Sequence, residues 1–340
     1  MSIRPLSKEL AAKAKKELGE DPKRVQDDIA YIKDWLKQQK HIKARTEEQW
    51  LLAFLRGCKF SLERTKEKLD TYYTMRSIIP EYLSNRDPFS PALQELLKLG
   101  VFVPLTKYGG PTDPMYMIFR TTVFDPAKHS AIDIFKINLI INDILLYEDD
   151  QMVIGGICVV NDMNNMTTSQ MMCYSPSVMK KVMTCFEQGY PTRPKEIHFY
   201  RIPSFFEAVF GMVKPFMKEK MLKRVIVHRK SDEASLRKKI PKEILPTEYG
   251  GDAGPIQDMI GDEASLRKKI PKEILPTEYG GDAGPIQDMI DHWKKKIESY
   301  SEWFKEDEQY KTDETLRPGK PKTSGDMFGI EGSFRKLNLD

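Results

Sequence analysis

Residues 203–216, PSFFEAVFGMVKPF, place aromatic and thioether side chains at spacings suited to binding rather than to bond-making chemistry. Read at helical period, Phe205, Val209, Met212 and Phe216 fall at i, i+4, i+7 and i+11. Phe206, Phe210 and Val213 form a neighbouring stripe. A helix apolar around most of its circumference is either buried on all sides or meets a second apolar phase. Cations surround it: Arg193, Lys195 and Arg201 before, Lys214 within, then Lys218, Lys220, Lys223 and Arg224. Between Arg193 and Lys230, ten Lys/Arg stand against Glu196, Glu207 and Glu219, a local excess of seven. Apolar faces inside a basic collar suit a lid that closes an internal cavity and touches an anionic membrane. The alternative is an ordinary core helix with solvated lysines on its flanks.

Groups that could support covalent chemistry are not arranged for it. His41, His129, His198, His228 and His292 show no metal-ligand spacing. No G-x-S-x-G, P-loop, HExxH or GxGxxG occurs. Gly109-Gly110 is a hairpin turn with no following helix to hold a phosphate. Neither a catalytic residue, a metal nor a cofactor is therefore assigned. Arg56 is read as a structural arginine paired with a carboxylate, and Glu248 and Tyr249 as parts of a docking motif. Thr168, Ser169, Tyr174 and Ser175 either offer a hydroxyl to a ligand or cap helices.

The elements that must position the apolar segment follow from periodicity. Val25, Ile29, Ile32 and Leu36 form a helical stripe. Thr46-x-x-Gln49 is a capping-box pattern before Leu51, Phe54 and Leu55, with Gly57 as a stop. Ser61 caps a third helix that ends near Pro80, and Ser90-Pro91 opens a shorter one ended by Gly100. Strands are expected over 101–106, 115–120, 156–162, 197–202 and 224–228. Helices intervene at about 132–147, from Ser175-Pro176 to Gly189, and at 203–216. That alternation predicts an α/β fold with a largely parallel sheet. Beyond Tyr310 the chain is polar and rich in Pro and Gly, and is expected to be mobile or loosely draped.

At 340 residues and net charge +4, the chain buries a large core and is too weakly basic for a general nucleic-acid binder. Cys58, Cys158, Cys173 and Cys185 lack paired spacing and are read as reduced, mostly buried thiols. The first residues lack an apolar signal-peptide core, and no apolar run approaches the ~20 residues of a spanning helix. A cytoplasmic, monomeric protein is expected. Of seventeen methionines, Met152, Met163, Met166, Met171, Met172, Met179 and Met183 crowd one short region. Flexible thioethers suit an adaptable cavity and equally fill irregular cores.

Asp232–Ile260 recurs without a change as Asp262–Ile290. Two identical copies read as a recent tandem duplication of one functional segment or as an error in the assembled sequence, since solenoid repeats diverge and need at least three units. The first copy, Leu245–Gly251, is expected to dock on the α/β core because it follows strand 224–228 directly, with the second forming a surface insertion; Asp291-His292-Trp293 continues the second copy just as naturally.

Several ordered stretches resemble the CRAL-TRIO lipid-binding family: Phe54-Leu55-Arg56-Gly57-Cys58-Lys59-Phe60, Asp125-Pro126, the strand ending at Asp162, Ser175-Pro176-Ser177, Lys214-Pro215-Phe216 and Leu245-Pro246-Thr247-Glu248-Tyr249-Gly250-Gly251. The resemblance covers roughly residues 25–300. It implies a three-helix N-terminal unit (1–90), a lipid-binding α/β domain with a deep apolar pocket under a mobile helix (91–310), and a polar tail (311–340). The function implied is a carrier of one hydrophobic lipid, such as a tocopherol or retinoid, that exchanges it with membranes to which it attaches reversibly. A lipid-sensing adaptor and a lipid-modifying enzyme are the alternatives. The pocket, expected at a few hundred Å³ or more, is assigned Phe135, Leu139, Met163, Met166, Met179, Val182, Met183, Phe206, Phe210 and Val213. Phe205, Val209 and Met212 are assigned to the membrane side of the lid. Carried over by motif, two basic pairs, Arg193 with Lys195 and Lys220 with Arg224, bind a phosphoinositide head group. The first pair has arginine and lysine exchanged, which keeps charge but changes bidentate geometry.

Overall fold

The computed structural model describes residues 3–228, 266 and 270–329. Its N-terminal part is helical. Lys8–Lys13 continues into a π-helical turn, Ala14–Leu18, which Gly19 ends at φ 77°. Helices Val25–Gln38, Glu48–Gly57 and Leu62–Ile78 follow. The middle one is buried from Gln49 to Arg56. Its N-cap is Glu47 and makes no side-chain cap bond. The capping box expected of Thr46 and Gln49 does not form because Gln49 is engaged elsewhere: it donates to Asp150 at 2.7 Å and accepts from the Arg4 amide at 2.9 Å. Ser61 and Ser90 stand at N-cap positions without capping through their side chains. Gly57 lets this unit approach the α/β part, since a Cβ there would lie 2.2 Å from the Pro191 carbonyl oxygen.

Five strands form one sheet in sequence order: β1 (Phe102–Pro104), β2 (Met115–Arg120), β3 (Ile157–Asp162), β4 (Pro194–Tyr200) and β5 (Val225–Val227). β1 and β2 are an antiparallel hairpin, and the other pairs are parallel. Helical connections supply the crossovers a parallel sheet requires, including Ala131–Glu148 before β3 and Pro176–Thr184 before β4. Alternation along the strands separates two faces. Met117, Val159, Ile197 and Val225 are in register across four strands. Val103, Tyr116, Ile118, Cys158, Val160 and Tyr200 belong to the core on the opposite face.

That opposite face is covered by Leu266, Ile270, Ile274, Leu275, Tyr279, Ile286, Met289 and Ile290. The LPTEYGG segment seated there is Leu275–Gly281, the second copy, not the first as expected. The continuation decides between them. Helix Ile286–Ser299 starts inside the second copy and runs beyond it. There Trp293 donates to the Pro104 carbonyl at 2.9 Å and Ile297 is fully buried. Gly261-Asp262-Glu263, which follow the first copy, offer no such anchors. The first copy lies outside the described residues.

A buried ionic network joins the two ends of the chain. Asp307 accepts from Arg45 and Arg76 at 2.5 Å and from Arg86 at 2.6 Å. Asp143 accepts from Arg86 at 2.7 Å, Arg76 at 3.0 Å and the Tyr72 hydroxyl at 2.8 Å. Burial opposes ionisation of Asp307, but Arg76, Arg86 and Arg45 hold its carboxyl at about 2. The tail is also tied down, contrary to expectation, as far as Gly329. Arg317 and Lys322 both reach Asp70, Thr312 pairs with Ile42, and Phe328 is buried in the main core. Its polar composition conceals these specific partners. Cys58, Cys158 and Cys185 are buried free thiols and Cys173 is half-buried; burial pushes Cys158 and Cys185 up to about 12.

Candidate functional site

The inner sheet face and three helices enclose a cavity of about 220 Å³. Met117, Phe119, Val159, Ile197 and Phe199 form its floor. Helix Ala131–Glu148 contributes Phe135, Asn138 and Asn142, spaced i, i+3 and i+7 on one face. Helix Pro176–Thr184, started by the Ser175 cap, contributes Met179, Val182 and Met183. Met163 and Met166 close one side, and Phe206 and Phe210 form the roof. No charged side chain lines the cavity among the described residues. Its volume is smaller than the sequence led one to expect, and eight methionines in the lining are the side chains best able to yield space.

The roof belongs to a short helix, Phe206–Val213, with Phe205 as N-cap. The Phe206 and Phe210 rings stack with centroids 5.4 Å apart, and both pack on Phe199. Of the residues assigned to the pocket, Phe135, Met163, Met166, Met179, Val182, Met183, Phe206 and Phe210 line it. Leu139 does not: it points into the main core, one position round the helix from Asn138. Phe205, assigned to the outer face, is half-buried against the Met163–Met166–Phe206 cluster. The regular helix begins one residue later, so the spacing that set its outward direction does not apply at that position. The side chains of Val209, Met212, Val213 and Phe216 lie outside the described residues.

The polar atoms in the lining are few and neutral. Asn142 donates to the backbone carbonyl of Asn138 at 2.9 Å and to its side-chain oxygen at 2.6 Å. The Asn142 oxygen and the Asn138 amide nitrogen retain hydrogen-bonding capacity, and the buried Thr192 hydroxyl has no partner among the described residues. The Tyr174 hydroxyl is satisfied by the Thr121 carbonyl at 3.3 Å. Ser175 caps a helix, while Thr168 and Ser169 lie off the lining. The sequence reading passed over Asn138 and Asn142, although two amides at i and i+4 in an otherwise apolar helix are a visible signal.

Strand β4 links the cavity to the basic surface. Thr192 and Pro194 line the cavity, and the alternate residues Arg193 and Lys195 turn away from it to meet Glu17. Each makes a 3.1 Å ion pair with the same carboxylate oxygen of Glu17. Arg193 also donates to the Ile154 carbonyl, and Arg224 donates to the Pro194 carbonyl. Arg193, Lys195 and Arg224 thus meet at the start of β4. Lys220 is exposed on the short helix Glu219–Leu222 that leads into Arg224. Partial burial opposes ionisation of Glu17, but Lys195 and Arg193 hold its carboxyl at about 2. Nothing local in the sequence marked Glu17 as their partner.

Two other motif residues are structural. Arg56, 1% exposed, is forked onto Glu20 at 2.8 and 2.9 Å and bound to Asp150 at 2.5 Å. In the docked repeat, Glu278 accepts from the Ile286 amide at 2.9 Å, and Tyr279 bonds Asp162 at 2.7 Å. Among the described residues, no helix is long and apolar enough to cross a membrane, and no group of His, Cys, Asp and Glu is placed to hold a metal ion.

Comparison with known proteins gives two family matches. Residues 101–251 match the CRAL/TRIO domain, and residues 21–93 match the Pinta-like UBA domain. The first match ends at Gly251, in the first repeat copy, whereas the second copy is the one seated on the sheet. The alpha-tocopherol transfer protein-like proteins of Mus musculus and Homo sapiens are each 31% identical over 251 residues. Those alignments cover 73% of this chain and 71% and 72% of the relatives. Clavesin-2 of Rattus norvegicus is 28% identical over 250 residues, covering 72% of this chain and 75% of its own.

Proposed function

Because the chain belongs to the CRAL/TRIO domain family, we propose that it carries one hydrophobic lipid in the cavity under Phe206–Val213 and exchanges it with membranes containing phosphorylated inositol lipids. The observation that carries this reading is a methionine-rich cavity, with no charged lining residue described, roofed by two stacked phenylalanines on an eight-residue helix. Burying apolar ligand surface there is favourable by roughly 25 cal/mol per Å². A carboxylate inside would lack a counter-charge and be strongly disfavoured. Asn138, Asn142 and Thr192 suit a single hydroxyl or carbonyl. A neutral, ring- or chain-bearing lipid alcohol, a tocopherol or retinoid or one similar, fits those terms. Relatives named for tocopherol transfer support that class.

Exchange requires the roof to open towards a membrane. Arg193, Lys195, Lys220 and Arg224 supply the anionic-surface contact beside it, with Val209 and Met212 entering the apolar phase as the lid lifts. The protein acts as a cytoplasmic monomer that visits membranes reversibly. The lining supplies no nucleophile–base pair among the described residues, which favours a carrier over an enzyme. The test is transfer of a fluorescent tocopherol or retinol analogue from the loaded protein to vesicles with and without phosphatidylinositol bisphosphate. Neutralising the four cations should slow transfer and weaken vesicle binding, by several kcal/mol at ~1 kcal/mol per charge, while loading in solution stays normal. Transfer rates equal to those of the unmodified protein at low salt would defeat the reading.

A further inference from the structure

The proposed phosphate site already holds an anion, supplied by the chain itself. Glu17 lies on the π-helical turn Ala14–Leu18 and pairs with Arg193 and Lys195. Lys13, one turn earlier, lies 3.5 Å from the other oxygen of the same carboxylate and donates to the Thr112 carbonyl. Three cations from two distant parts of the chain thus converge on one carboxylate. The segments around it are fixed. Leu10, Ala14 and Leu18 pack on Ile154, Arg4 binds Asp150 at 2.7 Å, and Glu20 is forked onto Arg56. Glu17 itself has a side chain 35% exposed, and its only described side-chain partners are those three cations. It can swing into solvent without undocking the helix.

Resting on the phosphoinositide reading above, we propose that Glu17 is a resident counter-anion that sets the charge threshold of the head-group site, and that Lys13, the third cation on Glu17, is an additional cation of that site. The charges support this. Lys13, Arg193 and Lys195 carry three positive charges, and Glu17 cancels one. A monoanionic lipid phosphodiester that displaces Glu17 exchanges one negative charge for another and gains little. A phosphomonoester carries close to two charges at neutral pH. With Arg193 it makes charge-assisted, bidentate bonds that a single carboxylate oxygen shared between two cations does not. Displacement therefore favours inositol lipids bearing phosphomonoesters over singly charged lipids such as phosphatidylserine. Without Glu17 the site would attract any anionic surface.

The test measures binding of the full chain to vesicles of matched net charge, made with either phosphatidylinositol bisphosphate or phosphatidylserine. Glu17→Gln should strengthen phosphatidylserine binding about fivefold, the effect of one charge near such a surface. It should affect bisphosphate binding less, so selectivity falls. Lys13→Gln should weaken bisphosphate binding more than phosphatidylserine binding, which loses only the general effect of one charge. Soluble inositol trisphosphate should compete with the bisphosphate vesicles. A selectivity unchanged in Glu17→Gln, with Arg193→Gln/Lys195→Gln still losing vesicle binding, would overturn the counter-anion role and leave the phosphoinositide reading standing. Vesicle binding untouched by Arg193→Gln/Lys195→Gln would overturn both. Glu17→Ala provides a second neutral variant, and equal melting temperatures show that the fold is retained.

Discussion

The Tyr279 hydroxyl donates a 2.7 Å hydrogen bond to the Oδ2 atom of Asp162, joining the docked repeat to the last residue of β3. Both residues are buried, at 3% and 7% exposure. The other oxygen of Asp162 accepts from the Asn164 amide at 3.1 Å, so the carboxylate also fixes the chain entering the cavity's methionine loop. Removing the hydroxyl leaves a buried carboxylate short of a donor, with Arg201 3.9 Å away as its remaining ion partner among the described contacts. Tyr279→Phe is expected to cost roughly 1–3 kcal/mol, read as a lower urea midpoint with an unchanged slope.

The identical copies allow a sharper experiment. Removing residues 261–290 or residues 232–261 gives the same sequence, Ser231 joined to one copy and then to Asp291. In that chain one copy follows β5 closely and also leads into the Trp293 and Ile297 anchors. The single-copy protein should fold with equal or greater stability and load lipid normally. Loss of cooperative unfolding would show that the second copy is needed for more than spacing.

Acid should act on the Asp307 network. The folded carboxyl is held at about 2, against about 3.9 for an unfolded aspartate. A depressed value contributes stability that is present above the unfolded pKa and is lost as pH falls through the folded one. The loss should therefore run from about pH 4 to about pH 2 and amount to roughly 2–3 kcal/mol. Asp307→Asn should flatten that part of the acid limb. It should also cost about 3–5 kcal/mol at neutral pH, since three buried arginines lose a shared partner. Urea melts between pH 2 and pH 7 check both.

Local patterns made much of this architecture readable. Most of the strands from Phe102 to Val227 are short, largely apolar runs, whereas β4 opens on Pro194-Lys195-Glu196, ahead of the apolar stretch expected from 197; Phe206 and Phe210 share a stripe whatever the fold around them. Long-range pairing was the harder part. Asp307 meets Arg76 across 231 positions and Glu17 meets Arg193 across 176, and a charged residue in sequence carries no mark of its partner. Leu139 and Asn138 show the finer limit. In a helix buried on nearly every side, hydrophobicity no longer tells which face lines a cavity and which packs in the core. The identical repeats gave no internal signal either, and the docked copy was decided by residues beyond it.

A carrier function requires that the cavity hold one lipid. Native mass spectrometry of the purified full chain, beside Phe210→Asp, tests this directly. A single neutral lipid alcohol should be bound 1:1 and recovered unchanged after incubation. In Phe210→Asp it should be lost, because a carboxylate would be placed in the roof of an apolar cavity. A protein that shows no adduct even after incubation with tocopherol or retinol, or a Phe210→Asp variant that retains the same lipid in full, would contradict the central claim.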